Sequence, residues 1–193
     1  GVRVVIRGRF GDFAGSVESE IAADGRIRST THVVNEGQDL DARELGMALS
    51  LPLSANQLSW ERAPDGRVFP DDHIGRPRGA AEAFPPVSSA FLRAARTGPP
   101  GWPFALDPST LGCNDFRSTK RSLLHADLVD QDGAGVRIEA GGTQHVRACV
   151  EDDRVRLSVL DWSGGTAAGW WEWEHNYGHG KPIKKGDTVE ASV

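Results

Sequence analysis

Apolar and polar positions alternate along most of the chain with a period of two, the spacing of a strand with one face buried. Near the start, Val2, Val4 and Ile6 alternate with Arg3 and, after a slip at Val5, Arg7. Val17, Ser19 and Ile21 lead through Ala23-Asp24-Gly25 into Ile27, Ser29, Thr31 and Val33, a hairpin turned by its Asp-Gly pair. Residues 43–51 and 57–62 read as two further strands, the first closed by Pro52, which has no N–H for a ladder. The alternation returns near Phe116 and predicts strands over 123–130, 135–140, 145–150, 154–161 and 187–193. Asp132-Gly133 and Gly141-Gly142 read as turns. In the strand from Arg154, alternation points Val155, Leu157 and Val159 to the core and Arg154, Arg156 and Ser158 to water. Roughly nine or ten strands with almost no helical stripe predict an all-β fold, a large antiparallel β-sandwich forming one domain over 1–193.

The middle departs from this pattern. Nine of the eleven prolines fall between Ala63 and Leu111, and the only helical stripe there is Ser88 to Arg96. That stretch reads as an excursion of loops from the sandwich, not a second domain. A chain with 38% apolar and 25% charged residues builds a real core, which excludes a disordered tail. The net charge of −5, with basic residues scattered among acidic ones, argues against a nucleic-acid or anionic-membrane partner. No apolar run approaches the ~18 residues of a membrane-spanning helix. The alternation of residues 1–10 is not that of a secretion signal, and an opening in mid-strand without Met reads as a piece of a longer polypeptide. Cys113 and Cys149 are too few for a disulfide framework and lack metal-site spacing.

Candidate chemistry is sparse. Six histidines occur at no ligand spacing, and the i, i+4 pair His175 and His179 is interrupted by Gly178, so no metal is expected and no cofactor either. Gly164-Gly165 and Gly178-x-Gly180 lack the strand-to-helix context of a phosphate loop and read as turns. Asp71-Asp72 and Glu172 with Glu174 are carboxylate pairs too close in sequence to straddle a sugar. The aromatic cluster carries more. Trp170, Trp171 and Trp173 put half of the six tryptophans beside Tyr177 in a glycine-flanked stretch, where indole faces stack on pyranose rings. Alternation equally allows one side of the cluster to close an end of the sandwich, while Trp60 and Trp162, each in a strand, read as core.

Four segments carry a resemblance. Leu58-Ser59-Trp60-Glu61-Arg62, Phe69-Pro70-Asp71-Asp72-His73-Ile74-Gly75, Gly112 to Arg121 with Leu124-His125-Ala126-Asp127-Leu128, and Gly141-Gly142-Thr143-Gln144-His145-Val146-Arg147-Ala148 resemble the C-terminal region of family 2 glycoside hydrolases of the β-galactosidase type. The resemblance implies a β-supersandwich related in fold to galactose mutarotases, non-catalytic in itself. Its partners would be a catalytic TIM barrel of the same parent polypeptide and a β-galactoside. By position, Trp170 or Trp171 matches a tryptophan that reaches the sugar in some members. Arg62, Asp72 and His73 read either as lining a groove beside the proline-rich excursion or as a solvated polar face. Asn114, Asp115 and Arg117 precede a strand and read first as turn-holding residues.

Two other readings stand beside this one. A mutarotase-like enzyme needs a general acid and base together, which requires His73, His125 or His145 to converge with Glu61 or Asp72. A purely structural or dimerising sandwich needs no such convergence.

Overall fold

The computed structural model describes residues 1–42, 44–64, 66, 76–84, 103–106, 119–163 and 180–193. Among them are thirteen strands, one 3-10 turn at Phe104–Leu106 and no α-helix, so the all-β expectation holds. In chain order the strands are β1 (Val2–Phe10), β2 (Phe13–Ile21), β3 (Ile27–Asn35), β4 (Leu40–Ala42), β5 (Glu44–Pro52), β6 (Gln57–Arg62), β7 (Arg78–Glu82), β8 (Leu123–Val129), β9 (Gly135–Glu139), β10 (His145–Glu151), β11 (Arg154–Ser163), β12 (Lys181–Ile183) and β13 (Thr188–Ser192). The chain divides into two compact units, 1–47 with 160–193, and 48–159. It passes from the first into the second within β5 and returns within β11.

In the first unit β1, β2, β3 and β13 form one antiparallel sheet in that order, and β12 pairs with β4. The β1–β2 pairing runs without a shift from Val2↔Ile21 to Phe10↔Phe13, so Val5 is no slip; it lies with Arg3 and Arg7 on one face. Two hairpins organise the sheet. The predicted Asp24-Gly25 turn is present, Asp24 accepting from the Arg26 backbone at 3.1 Å and its guanidinium at 2.7 Å. The second, at Phe10-Gly11-Asp12-Phe13, uses Gly11 at a φ of 64°, a left-handed conformation that glycine adopts without steric cost. One face of this sheet is apolar (Val4, Ile6, Val17, Val33, Ala191) and the other charged (Arg3, Arg7, Glu18, Glu20, Arg28). At the β3 end Asn35 is fully buried and satisfied by its neighbours. Its Nδ2 donates to the Gln38 carbonyl at 2.8 Å, its Oδ1 accepts from Gly37 N–H at 3.0 Å, and its backbone bonds Asp187 and Gly186.

The second unit holds the sheet β7-β6-β8-β9, with Leu58, Trp60, Ala81, Ala126, Leu128 and Ile138 on its buried face. Leu123, Val146, Val155, Leu157 and Val159 are buried in this unit as well. Trp60 lies opposite Gly79 on one side and Ala126 on the other, so the ring fits between small neighbours. A Cβ on Gly79 would stand 2.4 Å from the Trp60 Cζ2 atom.

Several expectations are corrected. β7 is a strand within the proline-rich stretch that was read as loops, and the three-residue strands β4 and β12 are too short to show a period. Ser158 is buried, not facing water. Trp60 is core, but Trp162 near the end of β11 is 37% exposed, because the alternation there turns it outward between half-buried Asp161 and buried Ser163. The helical stripe at Ser88 to Arg96 lies outside the described residues.

Gly79→Ala is expected to cost about 1–3 kcal/mol by overpacking against a ring that has no room to retreat, lowering the thermal midpoint by roughly 2–10 °C. Melting followed by circular dichroism checks this; an unchanged midpoint would show that Trp60 does not rest on position 79.

Candidate functional site

Because side chains alternate across a strand, the residues beside Trp60 in sequence point to the opposite face of β7-β6-β8-β9. There the register lines up Arg78, Glu61, His125 and Glu139 as one row across four strands. The next row carries Ser59, Asp127 and Arg137. His125 thus has a glutamate on each neighbouring strand, at cross-strand positions whose Cβ atoms lie roughly 4.5–5.5 Å apart. This is the convergence of a histidine with Glu61 that an acid–base reading requires, although the two residues lie far apart in sequence.

Electrostatics decide what the row does. Arg78 Nη2 donates to Glu61 Oε1 at 2.8 Å. That hydrogen bond, and behind it the charges of Arg78 and His125, hold the Glu61 carboxyl below the usual glutamate value despite partial desolvation. Arg137 binds Glu139 through Nε at 2.5 Å and reaches Asp127 at 3.4 Å. A carboxylate held ionised by a guanidinium is a poor proton donor near neutral pH and a weak base. A depression on this sheet is lined by Gln57, Ser59, Ala80, Glu82 and Val129, at the end away from Glu61.

The buried face has its own polar chemistry. Lys120 Nζ lies 4.4 Å from the centroid of the Trp60 ring, a cation–π contact, and both residues are buried. Trp60 Nε1 and Thr119 Oγ1 are buried with no hydrogen-bond partner among the described residues. His145, another candidate acid or base, accepts from Ser122 N–H at 3.0 Å through Nδ1. That bond places the proton of the neutral ring on Nε2 and ties the imidazole to the left-handed Ser122, φ 54°. Cys149 is free and buried, its thiol pushed up to about 11 by burial and then by Glu151, so it is no activated nucleophile.

Of the residues expected to meet sugar, Arg62 is described. It ends β6 at a register shift, its backbone N–H bonding the Pro77 carbonyl at 2.7 Å and its Nη2 the Arg76 carbonyl at 2.9 Å. The guanidinium therefore fastens the entry to β7. Asp72, His73, Trp170, Trp171, Trp173 and Tyr177 lie outside the described residues, as do Asn114, Asp115 and Arg117. The row of Arg78, Glu61, His125 and Glu139 was not readable as a row, because only strand register brings it together. Among the described residues no group of three or more His, Cys, Asp or Glu is placed to hold a metal ion. Comparison of the chain with protein-family models, curated proteins and solved structures finds no match.

Carboxyl NMR is expected to place the Glu61 titration below the usual value of about 4.3. Since the folded-state value is the lowered one, the stabilisation from the pair is present at neutral pH and lost as pH falls through that value. Arg78→Ala should move the titration upward. A midpoint already at or above the usual value in the unaltered chain would return Glu61 to the candidate acids.

Proposed function

We propose that this chain is the non-catalytic C-terminal β-sandwich of a β-galactosidase-like glycoside hydrolase of family 2, packing on the catalytic barrel of the same parent polypeptide. One observation carries the reading. Segments that bear the resemblance, far apart in sequence, are neighbours in the second unit. Leu58 to Arg62 is β6, Leu124 to Leu128 lies in the adjacent β8, and Gly142 and Gln144 bond the backbone of Leu123 at 2.8 and 2.7 Å. The accessory role is supported by the charged row, whose carboxylates are bound to arginines on an open sheet face. Aromatic contact with a β-galactoside is assigned in this reading to Trp170 or Trp171, with Trp173 and Tyr177 beside them.

A second reading, a mutarotase-like activity, is favoured by the pairing of His125 with Glu61 alone. It predicts that the isolated chain accelerates the mutarotation of galactose and that Glu61→Gln abolishes this; the accessory reading predicts no acceleration.

Assays on a chromogenic β-galactoside test the main proposal. The isolated chain is expected to be inactive and the parent polypeptide active. Trp170→Ala or Trp171→Ala in the parent should lower kcat/KM by about tenfold or more, roughly 1.4 kcal/mol of transition-state binding, while the melting temperature stays the same. Hydrolysis by the isolated chain that a single Asp or Glu substitution removes would overturn the accessory role. Loss of stability at both tryptophans would instead assign them to the sandwich.

A further inference from the structure

The strand β1 is unlike the other strands among the described residues. It is first in its sheet, paired along one side only among the described residues, and every one of its nine residues is exposed. Its apolar side is Val2, Val4, Ile6 and Phe10, with Val2 62% and Ile6 57% exposed. The same face is buried two strands away at Ser29 and Val33. A long, largely apolar edge is a template for another strand, and proteins that leave such an edge unpaired usually blunt it with charge, proline, a bulge or very short length. β1 has no proline or bulge and is nine residues long, so its only such device is its arginines, which select against basic partners more than acidic ones.

Its charge says what fits. β1 contains three arginines and no acid. Arg3 donates to Glu18 at 2.6 Å and Arg9 lies 2.9 Å from Glu36, while Arg7 has no ion-pair partner among the described residues. The inner neighbour β2 shows what this strand accepts: apolar Val17 and Ile21 on one face, Glu18 and Glu20 on the other. A second copy of β1 does not fit. In each near-centred antiparallel register that keeps the apolar face continuous, Arg3 meets Arg7 or Arg9, or Arg7 meets its own copy, and like charges directly opposite are destabilising.

We infer that the free edge of β1 accepts an extended strand of a partner protein whose residues alternate apolar on one face and acidic on the other. Main-chain bonds along the edge supply affinity, and Arg7 with the apolar row supplies specificity. The inference stands on β1 alone and does not depend on the sugar reading.

The test uses the full chain and two fluorescent peptides, one alternating Val with Glu and one alternating Val with Lys. The Val/Glu peptide is expected to bind with a Kd below roughly 100 μM, at least about tenfold tighter than the Val/Lys peptide. Arg7→Glu should reverse that order, with Arg154→Glu as an exposed control that leaves it intact. Arg7→Gln, which should abolish the preference, serves if the charge reversal lowers the melting temperature. Hydrogen exchange should slow at β1 amides when the Val/Glu peptide is bound. Binding of neither peptide, equal binding of both, an unchanged preference in the Arg7 variants, or protection away from β1 would each overturn the inference. So would sedimentation of the free chain as a dimer with β1 amides already protected, which would make a second copy the occupant.

Discussion

The ring of Trp60 occupies the space that a side chain at position 79 would need. This one steric fact sets the register of the second unit's principal sheet. Glycine at 79 and alanine at 126 flank the indole, Ile138 follows, and the row alternates small with large across four strands. Lys120 covers the ring, so the indole is enclosed by residues from separate parts of the chain. A slip of one residue would turn Trp60 to water and bring Glu61 inside, which the loss of burial and the cost of an enclosed carboxylate both oppose. The charged row of Arg78, Glu61, His125 and Glu139 is thus a consequence of how the apolar row packs.

The two principal sheets resolve the same problem differently. In the second unit the apolar face is closed, with Leu58, Leu128 and Ala126 almost inaccessible. In the first unit the apolar face closes at β3 and β13 and opens toward β1, where valines and isoleucines meet solvent. Burial therefore runs in a gradient across one sheet. On its other face Arg3 forms an ion pair with Glu18, and His32 Nδ1 lies 2.9 Å from Glu190 Oε1. Such exposed pairs add little stability, typically under about 1 kcal/mol each. They fix which side of the sheet faces water.

Much of this was legible in the sequence, for a physical reason: a strand with one wet face writes its period directly into the residue order. Val155, Leu157 and Val159 are buried as the alternation requires, and the Asp-Gly pairs turn where expected. The strands that escaped are those whose period is too short to see, β4 and β12, or whose flanking prolines imitate a loop, β7. Ser158 escaped because burial on both sides of a central strand overrides alternation, and its small hydroxyl allows it. Glu61 and His125 were each candidates, but their meeting depends on which strands pair, and nothing local encodes that. Arg62 read as a groove residue or a solvated charge; its bonds to the Arg76 and Pro77 carbonyls form only once β6 and β7 pair, which nothing local encodes.

Trp60 is enclosed by packing, whereas Trp170, Trp171 and Trp173 are proposed to meet carbohydrate. Indole N–H resonances of the parent polypeptide, followed by NMR during titration with a non-hydrolysable β-galactoside, test that separation most directly. The Trp170 or Trp171 resonance is expected to move with sugar while that of Trp60 stays fixed. Movement at Trp60, with Trp170, Trp171 and Trp173 unchanged, would contradict it.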